Sequence, residues 1–236
     1  MTGGSMTMPI LLVPGLACSP RLFAEQTPAL WRFGPVMIAD HTRGETMAEI
    51  ASQILASVPP RFVLIGMSMG GYIAFEIVRQ ARDRVSKLAL LDTSARADTP
   101  EATEQREAQI RIAQGGKFAQ VIEAQFARMV HPSHRDNEDL KAIVRAMADD
   151  VGPEVFIRQQ KAIITRPDSR PSLAAIRCPT LVIVGEADEI TPPDRAAEMA
   201  DGISGARLVT LRNCGHLTTH EDPQGVNRSL AALLQA

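Results

Sequence analysis

Three side chains in this sequence have the types, and the order along the chain, that nucleophilic acyl chemistry requires. Ser68 sits in Gly66-Met67-Ser68-Met69-Gly70, directly after the apolar run Phe62-Val-Leu-Ile65 and before a helical pattern. A G-x-S-x-G string between a strand and a helix is the setting of a nucleophile elbow. The turn is tight, so side chains at the flanking positions would meet the neighbouring strand and helix; both are glycine. The helix that follows directs its positive end at the hydroxyl and favours developing negative charge. A helix-capping serine in a glycine-rich turn would explain the string but not its strand–turn–helix setting. A serine hydroxyl alone is a weak nucleophile and needs a base oriented by a third group. Asp188 in Gly185-Glu-Ala-Asp188 and His216 in Asn213-Cys-Gly-His216 follow strand-like runs and are the candidates for those two roles.

Other residues of chemical interest have weaker settings. Asp92 also follows an apolar run, Leu88-Ala-Leu-Leu91, and is the second candidate for the acid. Asp40 and Arg43 are expected to form a loop ion pair near the crevice. His131-Pro-Ser-His134 and the pair His216/His220 have metal-like spacing. No cysteine or carboxylate cluster completes either site, so no metal is expected. Cys18 and Cys214 read as buried, inert thiols, because nothing nearby clearly lowers a thiol pKa. Met67, Met69, Met129 and Met147 could line an adaptable apolar pocket or pack in the core.

The elements that must hold these groups are short. Ile10-Leu-Leu-Val13, Val36-Met-Ile-Ala39, Phe62–Ile65, Leu88–Leu91, Leu181-Val-Ile-Val184 and Leu208-Val-Thr-Leu211 are apolar runs bounded by turn residues. They mostly lack alternation, the signature of strands buried on both faces of a parallel sheet. Helical patterns lie between them, at Thr46 to Ser57 and Gly70 to Ala81, and a last helix starts at Asp222-Pro223. The alternation predicts an α/β fold with a doubly wound, mostly parallel sheet. Asp188 and His216 then fall at carboxyl ends of strands, where such sheets bind ligands. Between Thr99 and Thr165 no strand-like run occurs. Phe118, Val121, Ile122, Phe126, Met129 and Val130 repeat at helical spacing, as do Leu140, Ile143, Val144 and Met147. About four helices are expected there, inserted between two strands. The division is a core of 1–98 and 166–236 with a helical cap at 99–165 that is not an independent domain.

Composition narrows the class. The chain has 236 residues, 45% of them apolar and 22% charged, which suits a globular chain with a sizeable core. Its 25 basic and 27 acidic side chains leave a net charge of −2 with no basic block. A nucleic-acid partner therefore has no electrostatic basis. Three widely spaced cysteines (Cys18, Cys178, Cys214) argue against a disulfide framework and fit a reducing, cytoplasmic setting. The apolar runs are too short to span a bilayer, so no membrane association is expected. Met1 to Pro9 lacks the basic and apolar regions of a signal peptide.

Over essentially its whole length the sequence resembles the α/β-hydrolase superfamily. The matching residues are Val13-Pro14-Gly15-Leu16, Asp40-His-Thr-Arg43-Gly44, Gly66-Met-Ser68-Met-Gly70, Gly185-Glu-Ala-Asp188 and Gly215-His216. The resemblance implies a Ser68–His216–Asp188 triad and a cap between the sixth and seventh sheet strands. It also implies an oxyanion hole from the Leu16 and Met69 backbone N–H groups. Many members carry His-Gly where this chain has Pro14-Gly15. The sheet is expected to begin at Ile10, without the family's first two antiparallel strands. Dehalogenase and epoxide hydrolase relatives carry Asp where this chain has Ser68. The expected function is a cofactor-free serine hydrolase, a carboxylesterase acting on a small, mostly apolar ester through an acyl-enzyme. Phe126, Met129, Met147 and Leu217 are the candidate substrate-binding side chains. C–C bond or thioester hydrolysis, or lyase chemistry, would use the same triad. A ligand-binding signalling protein with little turnover is the reading from another class.

Overall fold

The central apolar runs lack alternation because they are covered on both faces, whereas the edge strands are partly exposed. In the computed structural model, which describes residues 7–236, the runs form β1 (Ile10–Val13), β2 (Val36–Ile38), β3 (Phe62–Met67), β4 (Val85–Leu91), β5 (Thr180–Gly185) and β6 (Arg207–Leu211). Every residue of β1, β3 and β5 is buried. The spatial order is β2-β1-β3-β4-β5-β6, and each neighbouring pair is parallel. The expected mostly parallel sheet is thus parallel at every pairing. The signal-peptide expectation falls largely on residues 1–6, outside the described residues.

Strand β4 begins earlier than its apolar run, at Val85, and takes in Lys87. The Lys87 Nζ donates to the Leu233 and Leu234 carbonyls, each at 2.9 Å. Those carbonyls close the last helix, where intrahelical donors run out, so a cation in the strand is satisfied there.

The helices are α1 (Gln26–Leu30), α2 (Met47–Ser57), α3 (Met69–Ala81), α4 (Pro100–Ile112), α5 (Phe118–Met129), α6 (Glu138–Val151), α7 (Pro153–Ile164), α8 (Pro193–Gly202), α9 (Thr218–Glu221) and α10 (Pro223–Gln235). Their starts follow local chemistry. Thr46 Oγ1 accepts the Glu49 N–H at 3.1 Å and opens α2. Asp222 Oδ1 accepts the Gly225 N–H at 2.8 Å ahead of Pro223, whose missing N–H is harmless in a first turn.

Side chains of β1 divide by parity between two apolar layers. Leu11 and Val13 pack with α2, α3 and α8. Ile10 and Leu12 pack with α1 and α10. The second layer continues without a break into α5 and α6, through Phe118, Val121, Leu140, Val144 and Met147. Helices α5 and α6 therefore share the core of one sheet face, whereas α7 sends Phe156 into that layer and Ala162 and Ile163 into the other. The turn between α4 and α5 is made at Gly116, whose φ of 77° lies in the left-handed region that glycine tolerates.

The chain leaves β1 for β2 on one side and β3 on the other. The carboxyl ends of β1 and β3 therefore flank the point where strand order reverses, which is where open α/β sheets leave a crevice. Leu16, Ser68, Asp92, Asp188 and His216 all follow strand ends on this side.

Candidate active site

The elbow is a strained turn fixed on every side. Ser68 has φ 53° and ψ −118°, a conformation that L residues adopt only when the surroundings impose it. Its N–H donates to the Leu91 carbonyl at 2.9 Å. Its carbonyl accepts from the Gly71 N–H at 2.9 Å and from Thr93 Oγ1 at 2.7 Å. A Cβ on Gly70 would overlap the Val13 carbonyl, and one on Gly66 would overlap the Gly70 carbonyl. The close approach of β1, β3 and α3 thus requires both glycines.

The three candidates for nucleophile, base and acid come together. His216 Nε2 lies 2.8 Å from Ser68 Oγ, and His216 Nδ1 lies 2.8 Å from Asp188 Oδ2. Asp188 Oδ1 accepts the Ile190 and Thr191 N–H groups at 2.8 and 2.9 Å, and Thr191 Oγ1 donates to Oδ2 at 2.7 Å. The carboxylate is therefore clamped before it meets the imidazole. The His216 N–H donates to the Met129 carbonyl at 2.8 Å, which ties the candidate base to the end of α5. Glu221 Oε2 accepts the Gly215 and Leu217 N–H groups at 2.8 and 3.3 Å on either side of it. The same carboxylate accepts the His131 N–H at 2.6 Å and lies 2.9 Å from His134 Nδ1. Those two histidines serve this junction; among the described residues no three metal-ligating side chains converge.

Asp92 has a different place. It is fully buried, its Oδ1 accepts the Gly185 N–H at 3.1 Å, and its Oδ2 lies 2.5 Å from Thr218 Oγ1. Burial and the neighbouring Asp188 charge push its carboxyl well above the ordinary carboxylate range. Burial also works against charge on Asp188, but the His216 charge, the His216 hydrogen bond and the Thr191 donors hold that carboxyl below its usual value. At His216 burial opposes the imidazolium, yet the Asp188 carboxylate beside it raises the histidine above its usual value.

Two backbone donors beside the elbow, the Leu16 N–H and the Met69 N–H, are without a protein acceptor among the described residues. The Leu16 loop lies against the elbow, since a Cβ on Gly15 would stand 3.3 Å from Ser68 Cβ. Gln159, from α7, holds that loop: its Oε1 accepts the Ala17 N–H at 3.0 Å and its Nε2 donates to the His41 carbonyl at 3.4 Å. His41 Nε2 in turn lies 2.9 Å from the Gly15 carbonyl. Asp40 and Arg43 flank it as an exposed pair at 3.3 Å, which contributes little.

Ser68 and His216 open on a narrow cavity of about 80 Å³. Met67, Met129 and Leu217 line it, together with Leu16 and Cys18. Burial pushes the Cys18 thiol up to about 12, so it is no rival nucleophile. Burial and nearby carboxylates push the Cys214 thiol to about 12 as well. Met147 lines a smaller adjoining chamber that shares Leu16, Gln125 and Met129. Phe126 does not reach Ser68: it faces an outer groove with Lys141 and Arg145, because Gln125 and Met129 hold the inward side of α5. The Met69 side chain is buried in the opposite apolar layer, leaving only its backbone for the site. Tyr72, Arg106, Gln125, Ile163 and Ile190 also line the cavity, and no motif in the sequence singles them out. Tyr72 lies one helical turn beyond Ser68, so its spacing alone places it near the serine. Arg106 and Gln159 gave no local signal.

The sequence pattern of the alpha/beta hydrolase family matches residues 10–229. The chain belongs to the α/β-hydrolase family. The hydrolase is 28% identical to the pimeloyl-(acyl-carrier protein) methyl ester esterase of Chromobacterium violaceum, over 89% of its own chain and 79% of that relative. It is 26% identical to an AB hydrolase superfamily protein of Bacillus subtilis, over 94% of its own chain and 90% of the relative. Among solved structures it superposes on a thermophilic esterase from Thermogutta terrifontis with a TM-score of 0.87 and 30% identity, covering 97% and 89% of the two chains. No helix among the described residues of the hydrolase is long and apolar enough to cross a membrane.

Proposed function

We propose that the hydrolase cleaves small, mostly apolar carboxylic esters through an acyl-enzyme on Ser68. The observation that carries this reading is the unbroken hydrogen-bonded chain from Ser68 Oγ through His216 to Asp188, opening on an apolar cavity. Ser68 Oγ attacks the ester carbonyl while His216 Nε2 takes its proton. The Leu16 and Met69 N–H groups hold the oxyanion. His216 then protonates the departing alkoxide, and a water deprotonated by His216 releases the acid. Asp188 keeps the proton of the neutral imidazole on Nδ1 and stabilises the imidazolium. Relatives named as esterases support the choice of bond. Helices α4 to α7, at 99–165, serve as a cap on a core of 1–98 and 166–236. Met129 and Leu217 shape the substrate pocket, and Met147 shapes its extension.

A p-nitrophenyl ester panel tests the reaction. Short acyl esters should give a burst of one p-nitrophenol per protein, followed by steady turnover, with the acyl group recovered on the Ser68 peptide after acid quench. No turnover on any ester would remove the esterase reading and favour a binding protein.

The electrostatics of His216 give a second expectation. The base must be neutral to accept a proton, and its pKa lies above the ordinary histidine value of 6.5. Activity should therefore be lost as pH falls through a point above 6.5, on the acid limb of kcat/KM. A limb at or below 6.5 would contradict the Asp188–His216 coupling.

A further inference from the structure

One wall of the cavity is charged. Arg106, from α4, lines it beside Tyr72. Its Nε donates to Asp98 Oδ2 at 2.6 Å and its Nη1 to Gln160 Oε1 at 2.8 Å. Its Nη2 has no acceptor among the described residues. Asp98 is shared, because its Oδ1 also accepts from Arg166 Nη1 at 2.5 Å. No other carboxylate among the described residues lies within 4.0 Å of either guanidinium. The Arg106, Arg166 and Asp98 side chains are 20%, 7% and 3% exposed.

Two guanidinium groups thus face one carboxylate in a largely dry setting. Arg166 is further satisfied by the Arg96 and Ile163 carbonyls and by the Tyr72 ring, 4.2 Å from its carbon. Arg106 is the one with donors left over, and it is the one at the cavity. An excess buried charge is costly unless an opposite charge completes it. A second donor lies on the same cavity: Gln125 Nε2, on α5, is buried with no hydrogen-bond partner. Both helices belong to the 99–165 segment, so that segment brings two unfilled donors to an otherwise apolar pocket.

We propose that Arg106 is the recognition point for a carboxylate on the substrate, with Gln125 as its second donor. The ester cleaved at Ser68 then has an apolar middle and an anionic end. This inference rests on the esterase reading. A guanidinium fork suits a planar carboxylate, and leaving it empty would disfavour a neutral substrate of the same length.

The test compares esters matched in shape. In one arm, monomethyl esters of C4 to C7 dicarboxylic acids are set against methyl esters of branched neutral acids. In the other, acetate esters of short hydroxy acids are set against acetates of branched alcohols. In one arm the carboxylate ester should show a kcat/KM at least about 30-fold higher. In Arg106→Gln that ratio should fall by about tenfold or more, with Arg106→Lys between the two. Glutarate should also bind the Ser68→Ala protein in calorimetric titration, and not the Ser68→Ala/Arg106→Gln protein. The wild-type ratios need no variant to fold. Neutral esters preferred in both arms would overturn the proposal and leave the esterase reading standing. Cleavage of no ester would remove that reading, and glutarate binding would then decide Arg106 alone: saturable binding supports the carboxylate site, and none overturns it.

Discussion

Ser68→Ala should lower kcat for any cleaved ester by on the order of 10⁵–10⁶-fold, the scale seen when a triad serine is removed. The fold should survive, because the Ser68 side chain makes one hydrogen bond, to His216, while the strained backbone is held by Leu91, Gly71 and Thr93. A fluorophosphonate probe should label one tryptic peptide, the one carrying Ser68, and label nothing in the variant. Cys18 lines the same cavity, but its thiol is pushed up to about 12 and should not take over. Labelling that persists in Ser68→Ala, with an unchanged melting temperature, would place the nucleophile elsewhere.

Asp188→Asn should cost roughly 10³–10⁴-fold in kcat, because an amide facing Nδ1 stabilises the wrong histidine tautomer. The acid limb of the pH profile should also move down, since Asp188 is what lifts His216. Asp92→Asn should cost far less. Its carboxyl is held toward the neutral form, and a neutral acid at that place accepts from Gly185 and shares a hydrogen with Thr218. An asparagine can do the same, with its oxygen toward Gly185 and its amide toward Thr218 Oγ1. The reverse ranking of the two variants would move the acid to the end of β4.

What could be read from the sequence is what short stretches encode. Apolar runs bounded by turn residues, the Asp222 cap before Pro223 and the glycines around Ser68 each act through neighbours within a few residues. They are enough to mark six strands along the chain, to expect helices between Thr99 and Thr165, and to set Ser68, Asp188 and His216 just after strand-like runs. The same reasoning ranks Asp188 ahead of Asp92 only through the Gly185-Glu-Ala-Asp188 loop that carries it. Both follow buried strands, and the difference lies in which one meets His216 Nδ1 and which meets Thr218. Gln159 reaches a loop 142 residues away, and Arg106 a glutamine 54 residues on. Such contacts exist only after the helices pack. Phe126 shows the limit from the other side. Helical periodicity places it in an apolar stripe with Met129, but the stripe is wide, and only one edge of it turns toward the serine.

Gln159 has a consequence for how such proteins can be recombined. The helical insertion is the natural part to exchange between relatives when a new selectivity is wanted. Yet α7 supplies the amide that holds Ala17, which stands at φ 54° beside the Leu16 donor, and the end of α5 supplies the carbonyl that accepts the His216 N–H. A chimera with a foreign insertion would therefore inherit a new pocket and a loosened frame around Ser68 and His216 together. A graft that keeps Gln159 on its helix, and a backbone carbonyl at the Met129 position, keeps the two properties separable.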